Sequence, residues 1–511
     1  MMTAEVLTNG RSLGGLLRGF SDVSLKRDCN VSGLALDSRK VQAGDLFLAV
    51  AGTRTHGLQH ARQALALGAI AVAWEPVAGQ AGLAETAALL PVPVVAVPGL
   101  GQRVGEIADR FYGHPSGGLF MIGVTGTDGK TSCSHFIAQA LNTDDRRCGV
   151  IGTLGYGLYE ELSNASHTTP DALTMQQSLR DMQQRGARCV VAEVSSHAMD
   201  QGRARGVSFD VAVLTNLSRD HLDYHGSVEA YAEAKRKLFH ADGLRYAVIN
   251  ADDPFGSALL DAIPPGVAPV AYRLENEPFR TRFPAQWVIG RELRCDDTGL
   301  SMQVATPWGS GSLQCGLLGR FNASNLLAAL ATLCVSGLPF AEALVRLSLT
   351  CTVPGRMERF DAGAGHPLVV VDYAHTPAAL EAVLKSLRAH CRGRLWCVFG
   401  AGGDRDRGKR APMGAKVERH ADRVVLTDDN PRNEDPRQIV EEILAGMKQP
   451  AAVHVEHDRG RAIAWAMQQA VSGDVVLIAG KGHETVQLVG SRAVPFSDRE
   501  RVLQLVRDRA R

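Results

Sequence analysis

The chain has 511 residues, a length typical of about three domains, which excludes a single small module. Lysine and arginine number 55 against 54 for aspartate and glutamate, so the net charge is +1 and no basic block predicts nucleic acid as a partner. The 45% hydrophobic and 21% charged fractions are typical of a folded globular protein. The 10 cysteines lack paired CxxC spacing, and the sequence shows no signal peptide and no apolar run of about 18 residues. We therefore expect reduced thiols, a cytoplasmic location and no membrane insertion.

Apolar runs alternate with helical patterns along the chain, which predicts an α/β protein of three domains. The runs predict strands in three series: 45–50, 69–73 and 93–97; then 119–122, 189–194, 211–214 and 247–249; then 368–371, 395–399, 424–426 and 475–478. Turn-forming residues at 112–118 and a break in the pattern at 351–355 separate the series. We predict a small N-terminal α/β domain (1–115), a central doubly wound P-loop ATPase domain (116–352) and a C-terminal Rossmann-like domain (353–511).

A glycine-rich loop follows the first central strand and precedes a helical run at 132–141. It contains Gly123, Gly126 and Gly129 and ends in Lys130 and Thr131, which predicts a phosphate-binding loop for ATP. The strict spacing of such loops is not met, because a valine stands where the first glycine belongs. A chance Gly-Lys-Thr turn is the alternative.

Carboxylates and imidazoles follow two further central strands. Glu193 ends one strand, where it is either a solvated side chain or a ligand of Mg²⁺ beside the phosphate loop. The loop at 215–226 holds two carboxylates and two imidazoles without a zinc motif, which favours Mg²⁺ over zinc as the bound metal. For His225, a structural role and a role in the site are equally good interpretations. Taken alone, Lys235 is interpreted as a surface lysine of an amphipathic helix.

Four charged loops follow the strands of the third series, at 372–377, 402–410, 428–432 and 480–484. They mix guanidinium groups with carboxylates, a combination suited to a zwitterion such as an amino acid. Solvated loops with local ion pairs are the alternative interpretation.

Jointly, these motifs resemble the Mur ligase family, whose members use ATP to form amide bonds in peptidoglycan assembly. The resemblance spans nearly the whole chain, through segments 125–131, 193–197, 220–223, 231–235, 319–325, 354–358 and 372–377. The sequence Asp-Asn-Pro-Arg at 429–432 resembles the family branch that adds meso-diaminopimelate to UDP-N-acetylmuramoyl-L-alanyl-D-glutamate. The implied product is a UDP-N-acetylmuramoyl tripeptide, made through an acyl phosphate by a protein expected to be a monomer.

The resemblance also implies roles for individual residues. The catalytic residues are Lys130, Glu193, His221 and Lys235. Mg²⁺ is implied to bind Thr131, Glu193, His221 and Lys235, the last carbamylated to N6-carboxylysine. The ATP site is implied to comprise Gly126, Thr127, Asp128, Gly129, Lys130, Thr131, Ser132, Asn322, Asn325, Arg356 and Asp372. Two departures are Asp128 and His167, since the family often has asparagine at both positions.

The two other substrates are assigned in the same way. The UDP-muramoyl dipeptide is implied to contact Leu36, Ser38, Thr53, Arg54, Thr55, His167, Thr168, Thr169, Ser195, Gln201 and Arg203. The meso-diaminopimelate pocket is implied to comprise Arg405, Asp429, Asn430, Pro431, Arg432, Gly480 and Glu484. Three alternatives remain at this point: a lysine-adding ligase, a folylpolyglutamate synthetase, and a regulator that binds muropeptides without forming amide bonds.

Overall fold

A computed structural model describes residues 11–21, 28–52, 55–80, 82–165, 167–218, 220–274, 286–296, 298–361, 363 and 365–509. It contains three successive sheets composed mainly of parallel strands, each packed with helices. The predicted α/β fold class is confirmed. None of the described helices is both long and apolar enough to cross a bilayer.

The first sheet has four parallel strands in the spatial order β3-β4-β5-β6. The elements are β1 (Arg11–Ser12), α1 (Leu13–Leu17), β2 (Asn30–Val31), β3 (Gly33–Ala35), β4 (Asp45–Ala49), α2 (Ala61–Ala66), β5 (Ala71–Trp74), α3 (Gly82–Ala88), β6 (Val94–Ala96) and α4 (Leu100–Tyr112). All five residues of β4 are buried, as expected for a parallel strand covered on both faces. Leu46 and Leu48 pack with Val104 and Ile107 of α4, so this helix covers one face.

The central sheet has ten strands in the order β16-β15-β14-β13-β12-β11-β7-β10-β8-β9. The elements are β7 (Phe120–Thr125), α5 (Lys130–Leu141), β8 (Arg147–Gly152), β9 (Gly155–Leu158), α6 (Ala172–Gln184), β10 (Ala187–Glu193), α7 (Ser196–Asp200), β11 (Val211–Leu214), α8 (Leu222–His225), α9 (Val228–Arg236), β12 (Tyr246–Asn250), α10 (Pro254–Leu260), β13 (Ala268–Leu274), β14 (Gln286–Asp296), β15 (Gly299–Thr306), β16 (Gly309–Cys315), α11 (Arg320–Val335) and α12 (Phe340–Ser348). Strands β14 to β8 in this order are parallel, and β7 lies between β10 and β11. The loops after β11, β7 and β10 therefore meet at one edge of the sheet, where doubly wound sheets bind their ligands.

The third sheet has six strands in the order β17-β18-β22-β19-β20-β21, of which only β17 is antiparallel to its neighbour. The elements are β17 (Glu358–Asp361), β18 (Leu368–Asp372), α13 (Pro377–Arg388), β19 (Leu395–Phe399), α14 (Arg410–His420), β20 (Arg423–Leu426), α15 (Pro436–Leu444), β21 (His454–Val455), α16 (Arg459–Gln469), β22 (Val475–Ala479), β23 (Val486–Val489), β24 (Arg492–Pro495) and α17 (Asp498–Arg509). The four charged loops follow β18, β22, β19 and β20, which are consecutive neighbours. The sheet thus brings all four loops to one edge.

Polar contacts connect the second and third sheets. The Arg359 side chain of β17 donates to the Thr298 carbonyl, between β14 and β15, at 2.7 Å. His390 Nδ1 lies 2.6 Å from the carbonyl oxygen of Asp296, and Nε2 accepts from the Gly319 amide at 2.8 Å. These contacts hold the third sheet against the end of β14, Thr298 and the start of α11.

Candidate active site

The glycine-rich loop joins β7 to α5 and requires its glycines. Gly126 and Gly129 have φ values of +151° and +80°, which residues with a side chain rarely adopt. A Cβ at Gly126 would lie 1.8 Å from Thr215 Oγ1, so the close approach of the next loop also excludes a side chain. Asn216 accepts from the Asp128 amide through Oδ1 and from the Thr127 amide through its carbonyl, both at 2.9 Å. Thr215 and Asn216 therefore support the loop, a role that sequence reasoning missed.

The Lys130 side chain folds back onto the loop that precedes it. Its Nζ donates to the carbonyls of Gly126 and Thr127, each at 2.8 Å. Desolvation lowers the pKa of Lys130, although the nearby Glu193 carboxylate opposes this change. The ammonium group can exchange these neutral carbonyl acceptors for phosphate oxygens, which bind it more strongly.

Glu193 is fully buried at the end of β10, and neighbouring threonines hold its carboxylate in place. Thr131 Oγ1 donates to Oε2 at 2.9 Å, and the Thr153 amide donates to Oε1 at 2.9 Å. Burial raises the pKa of Glu193 despite these hydrogen bonds. An oxygen-only pair of hydroxyl and carboxylate beside a phosphate loop suits Mg²⁺, which prefers oxygen ligands and phosphates. Thr153 is a further residue that the sequence did not reveal.

Lys235 lies on α9 and is only 1% exposed, so its interpretation as a surface lysine is wrong. Its Nζ donates to the Gly126 carbonyl at 2.7 Å and lies 4.5 Å from the centre of the Tyr231 ring. Tyr231 in turn shares a hydrogen bond of 3.0 Å with Thr127 Oγ1. Burial, followed by repulsion from Lys130, lowers the pKa of Lys235 to about 6. The Lys235 amine is therefore mainly uncharged at neutral pH.

His221 belongs to a cluster of imidazole rings beside this lysine. It has a left-handed backbone with φ of +53°, and its Nε2 lies 3.4 Å from Asp220 Oδ2. The His197 ring lies 4.8 Å from the His221 ring and 5.4 Å from the His225 ring. His225 shares a hydrogen bond of 3.0 Å with Ser196 Oγ, as a structural histidine would. No group of three His, Cys, Asp or Glu side chains converges as a metal site among the described residues.

Residues of the third sheet and of α11 approach the loop from the opposite side. Asp372 ends β18, is buried, and accepts the amides of Met357 at 2.7 Å and Ala374 at 2.8 Å. Burial raises its pKa. The Arg356 guanidinium lies 4.7 Å from the centre of the Tyr373 ring.

The asparagines of α11 lie against the same loop. Asn325 Nδ2 donates to Asn322 Oδ1 at 3.2 Å, and a Cβ at Gly129 would lie 2.7 Å from Asn325 Oδ1. Ser132 lies in the first turn of α5. The structure therefore places Asn325 against the loop and Arg356 near enough to Lys130 to help lower its pKa, while Asp372 supports the segment that follows Arg356.

The residues assigned to the muramoyl peptide form a connected polar chain that begins at Glu193. Thr169 Oγ1 donates to the Glu193 carbonyl at 2.7 Å and accepts from the Ser195 amide at 3.1 Å. Arg203 donates to the Thr169 carbonyl at 3.0 Å and to Gln201 Oε1 at 2.9 Å. The remaining two lie alongside: Thr168 Oγ1 is 3.1 Å from Thr153 Oγ1, and the carbonyl of His167 accepts from Tyr156.

The residues assigned to the uridine end lie at the carboxyl edge of the first sheet. Leu36 and Ser38 follow β3, and Ser38 Oγ donates to Gln63 Oε1 at 2.8 Å. Thr55 follows β4, and its carbonyl accepts from the Gly52 amide at 3.1 Å. The other two residues of this set, Thr53 and Arg54, lie outside the described residues.

The residues assigned to the amino acid comprise an acidic side, in which Asp429 is buried and Glu484 is partly exposed, and a cationic side. Asp429 and Glu484 follow β20 and β22, and a Cβ at Gly480 would lie 2.4 Å from Asp429 Oδ2. Pro431 is buried, Arg405 is exposed, and Arg432 has φ of +51°. Arg432 Nη1 donates to the Gly403 carbonyl at 2.8 Å, and its amide donates to the Leu488 carbonyl at 3.0 Å.

A buried ion pair supports the cationic side. Arg410 is fully buried and contacts Glu434 Oε2 at 2.9 Å and Glu442 Oε2 at 2.8 Å. The Asp404 amide also donates to Glu434, which ties the loop after β19 to the loop after β20. Sequence reasoning missed Glu434 and Arg410, because each resembles an ordinary charged surface residue.

Comparison with known proteins agrees with this geometry. Models of the Mur ligase family, catalytic domain, the Mur ligase middle domain and the Mur ligase, glutamate ligase domain match residues 30–112, 124–333 and 355–482. The UDP-N-acetylmuramoyl-L-alanyl-D-glutamate–2,6-diaminopimelate ligase of Alkalilimnicola ehrlichii is 49% identical, covering 96% of this chain and 97% of the relative. The enzyme of that name from Coxiella burnetii is 47% identical, covering 96% and 99%.

Solved structures extend the likeness. A structure of a UDP-N-acetylmuramoyl-L-alanyl-D-glutamate–2,6-diaminopimelate ligase is 36% identical with a TM-score of 0.74, covering 98% of this chain and 100% of that one. A folylpolyglutamate synthase of Mycobacterium tuberculosis is 20% identical, with a TM-score of 0.57, and shares only the fold, over 74% of this chain and 92% of that one. The prediction from the sequence motifs is confirmed: the chain belongs to the Mur ligase family.

Proposed function

We propose that the protein adds meso-diaminopimelate to UDP-N-acetylmuramoyl-L-alanyl-D-glutamate with ATP, releasing ADP and phosphate. Relatives whose names state these substrates are 46–50% identical and cover at least 90% of the chain. The observation that carries the proposal is the shared edge of β22, β19 and β20, where Glu484, Arg405 and the pair Asp429 and Arg432 follow these three neighbouring strands. Carboxylates bind the ammonium group of an amino acid, and guanidinium groups bind its carboxylate.

The first step transfers the terminal phosphoryl group of ATP to the D-glutamate carboxylate. A free carboxylate is a poor electrophile, and the acyl phosphate supplies a leaving group. Lys130 binds the transferred group, and the amides of the glycine loop bind the other phosphates. Thr131 and Glu193, with His221, would hold Mg²⁺, which neutralises phosphate charge when bound. Thr153 and Thr169 keep Glu193 oriented throughout.

In the second step the amine of the amino acid attacks the acyl phosphate, and phosphate leaves as the amide forms. Asp429 and Glu484 hold the amino acid on the third sheet, whereas the acyl phosphate lies on the central sheet. Holding the two reactants in position across the two domains therefore contributes to the rate. Asn322 and Asn325 of α11, together with Arg356 and Asp372 of the third domain, are proposed to close the nucleotide site.

Lys235 is proposed to carry a carbamate. The buried amine, whose pKa is lowered to about 6, is largely neutral, and the neutral form is the one that adds CO₂. The carbamate would convert a cation into a carboxylate beside Lys130 and the Mg²⁺ ligands. The lowered pKa and the contact with the Gly126 carbonyl support this assignment.

The remaining assignments are proposed on the same basis. The first sheet is proposed to bind the uridine end through Leu36, Ser38 and the segment 53–55, with domain limits of 1–115, 116–352 and 353–511. Thr168, Thr169, Ser195, Gln201 and Arg203 are proposed to contact the muramoyl peptide. We place the reaction in the cytoplasm, since the ten cysteines are free thiols, as is usual in a reducing compartment.

The test supplies purified protein with ATP, Mg²⁺ and UDP-N-acetylmuramoyl-L-alanyl-D-glutamate, and compares meso-diaminopimelate with L-lysine. Phosphate release and product mass are measured in parallel. Turnover with diaminopimelate alone is expected. Turnover with lysine would contradict the assigned amino acid, and turnover with neither would favour a regulator that binds muropeptides without joining them.

A further inference from the structure

Lys481 is a fully buried lysine that lies directly behind the amino-acid pocket. Its Nζ donates to Glu484 Oε2 at 2.8 Å, to Asn430 Oδ1 at 3.0 Å and to the Val486 carbonyl at 2.7 Å. An ammonium group has three protons, so these three acceptors use all of them. Lys481 therefore acts on the pocket through its neighbours, without contacting the amino acid.

The first neighbour is Asn430, whose amide orientation is fixed. Asn430 Oδ1 accepts from both Lys481 and the Leu488 amide, the latter at 2.9 Å. The amide nitrogen consequently donates to Glu484 Oε2, also at 2.9 Å. Without a cation on Oδ1, the amide could rotate and its nitrogen would no longer face the carboxylate.

The second neighbour is Glu484, whose two carboxylate oxygens have different hydrogen-bond partners. Oε2 accepts from both Lys481 and Asn430, whereas Oε1 has no such partner within the described part of the chain. Burial raises the pKa of Glu484, but the hydrogen bond from Lys481 and that from Asn430 hold it below its usual value. Glu484 thus stays ionised with one oxygen available for an incoming ammonium group.

The charges of the pocket support the same conclusion. Arg459 and Asp498 form a fully buried pair with contacts of 2.7 and 2.8 Å, and their charges cancel. Burial raises the pKa of Asp429, and the positive charges of Arg459 and Lys481 oppose this rise. Lys481 also pairs with Glu484, so it is a cation shared by two carboxylates. Without Lys481, both carboxylates would lose a compensating charge, which favours the uptake of a proton by one of them.

We infer that Lys481 is a positioning residue that orients Asn430 and Glu484 to receive the ammonium group of the incoming amino acid. The inference rests on the proposed function for the identity of that amino acid, although every acceptor of this class carries an ammonium group. It assigns a role to a residue outside the set that resemblance places in the pocket.

The test compares Lys481→Met with a matched control, Lys385→Met. Lys385 is exposed, lies on α13 of the same domain and pairs with Glu381 at 2.7 Å. KM for the amino acid is expected to rise at least about tenfold in Lys481→Met, because the Glu484 carboxylate loses its charged partner, while KM for ATP changes less than about twofold. Lys385→Met should match the wild type in all three KM values. Unchanged KM for the amino acid in Lys481→Met, or an equal rise of every KM, would overturn the inference.

A double-mutant cycle with Glu484→Gln separates positioning from general destabilisation. If Lys481 acts through Glu484, Lys481→Met adds little to KM once Glu484→Gln is present, so the two effects are not additive. Additive effects would contradict this role. In Lys481→Met the pKa of Glu484 should rise, so the acid-side loss of amino-acid binding should begin at higher pH than in the wild type. The melting temperature is recorded for each variant.

Measuring which amino acid the wild type uses distinguishes failure of this inference from failure of the proposed function. If the wild type uses L-lysine instead of meso-diaminopimelate, the proposed function fails, and the Lys481 comparison is made with lysine. If the wild type uses meso-diaminopimelate and Lys481→Met has an unchanged KM for it, the inference alone fails.

Discussion

Lys235→Ala is expected to remove most ligase activity, and a small carboxylate such as acetate should restore part of it. Lys235 is buried beside the nucleotide loop, where an alanine leaves space for such an anion. The loss should be on the order of 10²–10³-fold, as for the removal of one preorganised charge from an active site. Lys385→Ala is the control, because that lysine is exposed and lies on another domain.

The position of Lys235 is the reason to expect that its amine adds CO₂. The side-chain nitrogens of Lys130 and Lys235 both donate to the Gly126 carbonyl, at 2.8 and 2.7 Å, so they lie within about 5.5 Å of each other. At an effective dielectric constant of about 20, two positive charges at this distance repel by about 3 kcal/mol. Burial and this repulsion lower the pKa of Lys235 to about 6, so most of the amine is neutral at pH 7.5. A carbamate would replace the repulsion by attraction.

The assay follows phosphate release after CO₂ has been removed from the buffer and again after bicarbonate is added. The wild type should lose activity on depletion and regain it with bicarbonate, whereas Lys235→Ala should respond only to the small carboxylate. Labelling with ¹³C-bicarbonate should give a carbamate signal in the wild type that is missing from Lys235→Ala. Full activity of Lys235→Ala without any added carboxylate would refute the reasoning.

Three further substitutions test the remaining groups. Lys130→Ala should abolish ADP release while circular dichroism shows an intact fold, and an active variant would remove the proposed role of Lys130. Arg432→Ala should lower the preference for meso-diaminopimelate over lysine by on the order of 10–100-fold in kcat/KM, and an unchanged ratio would contradict its assignment. Glu193→Gln should raise the Mg²⁺ concentration needed for half-maximal activity. Burial raises the pKa of Glu193, so this carboxylate takes up a proton at a higher pH than an ordinary glutamate. As the pH is lowered, wild-type activity should therefore begin to fall at a correspondingly higher pH, and extra Mg²⁺ should oppose that fall.

The three sheets were predictable because parallel strands buried on both faces are continuous apolar runs. The predicted strand at 475–478 corresponds to β22, in which every residue is buried. The glycine loop was recognisable despite its irregular spacing, since glycines, a lysine and a threonine stand between a strand and a helix. Local patterns of this kind depend only on neighbouring residues, which the sequence displays directly.

Burial of charged residues was not predictable, because it depends on which elements pack together. The helix of Lys235 has an amphipathic pattern, yet the sequence does not show that the Gly126 carbonyl meets this side chain. Arg410 and Lys481 are likewise fully buried in charged stretches that are typical of solvated loops. Each becomes understandable only with its partners, Glu434 for Arg410 and Glu484 for Lys481.

The order of strands in the third sheet explains why its pocket is assembled from distant segments. Asp429 follows β20 and Glu484 follows β22, and β19 separates these two strands in the sheet. The Asn430 amide bridges the gap by donating to Glu484, and the hairpin of β23 and β24 adds the Leu488 contacts on both sides of it. A substitution in the loop after β20 therefore changes the geometry of a carboxylate 54 residues further along the chain. Selectivity for the amino acid is consequently a property of the joined loops, and motif matching within either loop alone detects only half of the site.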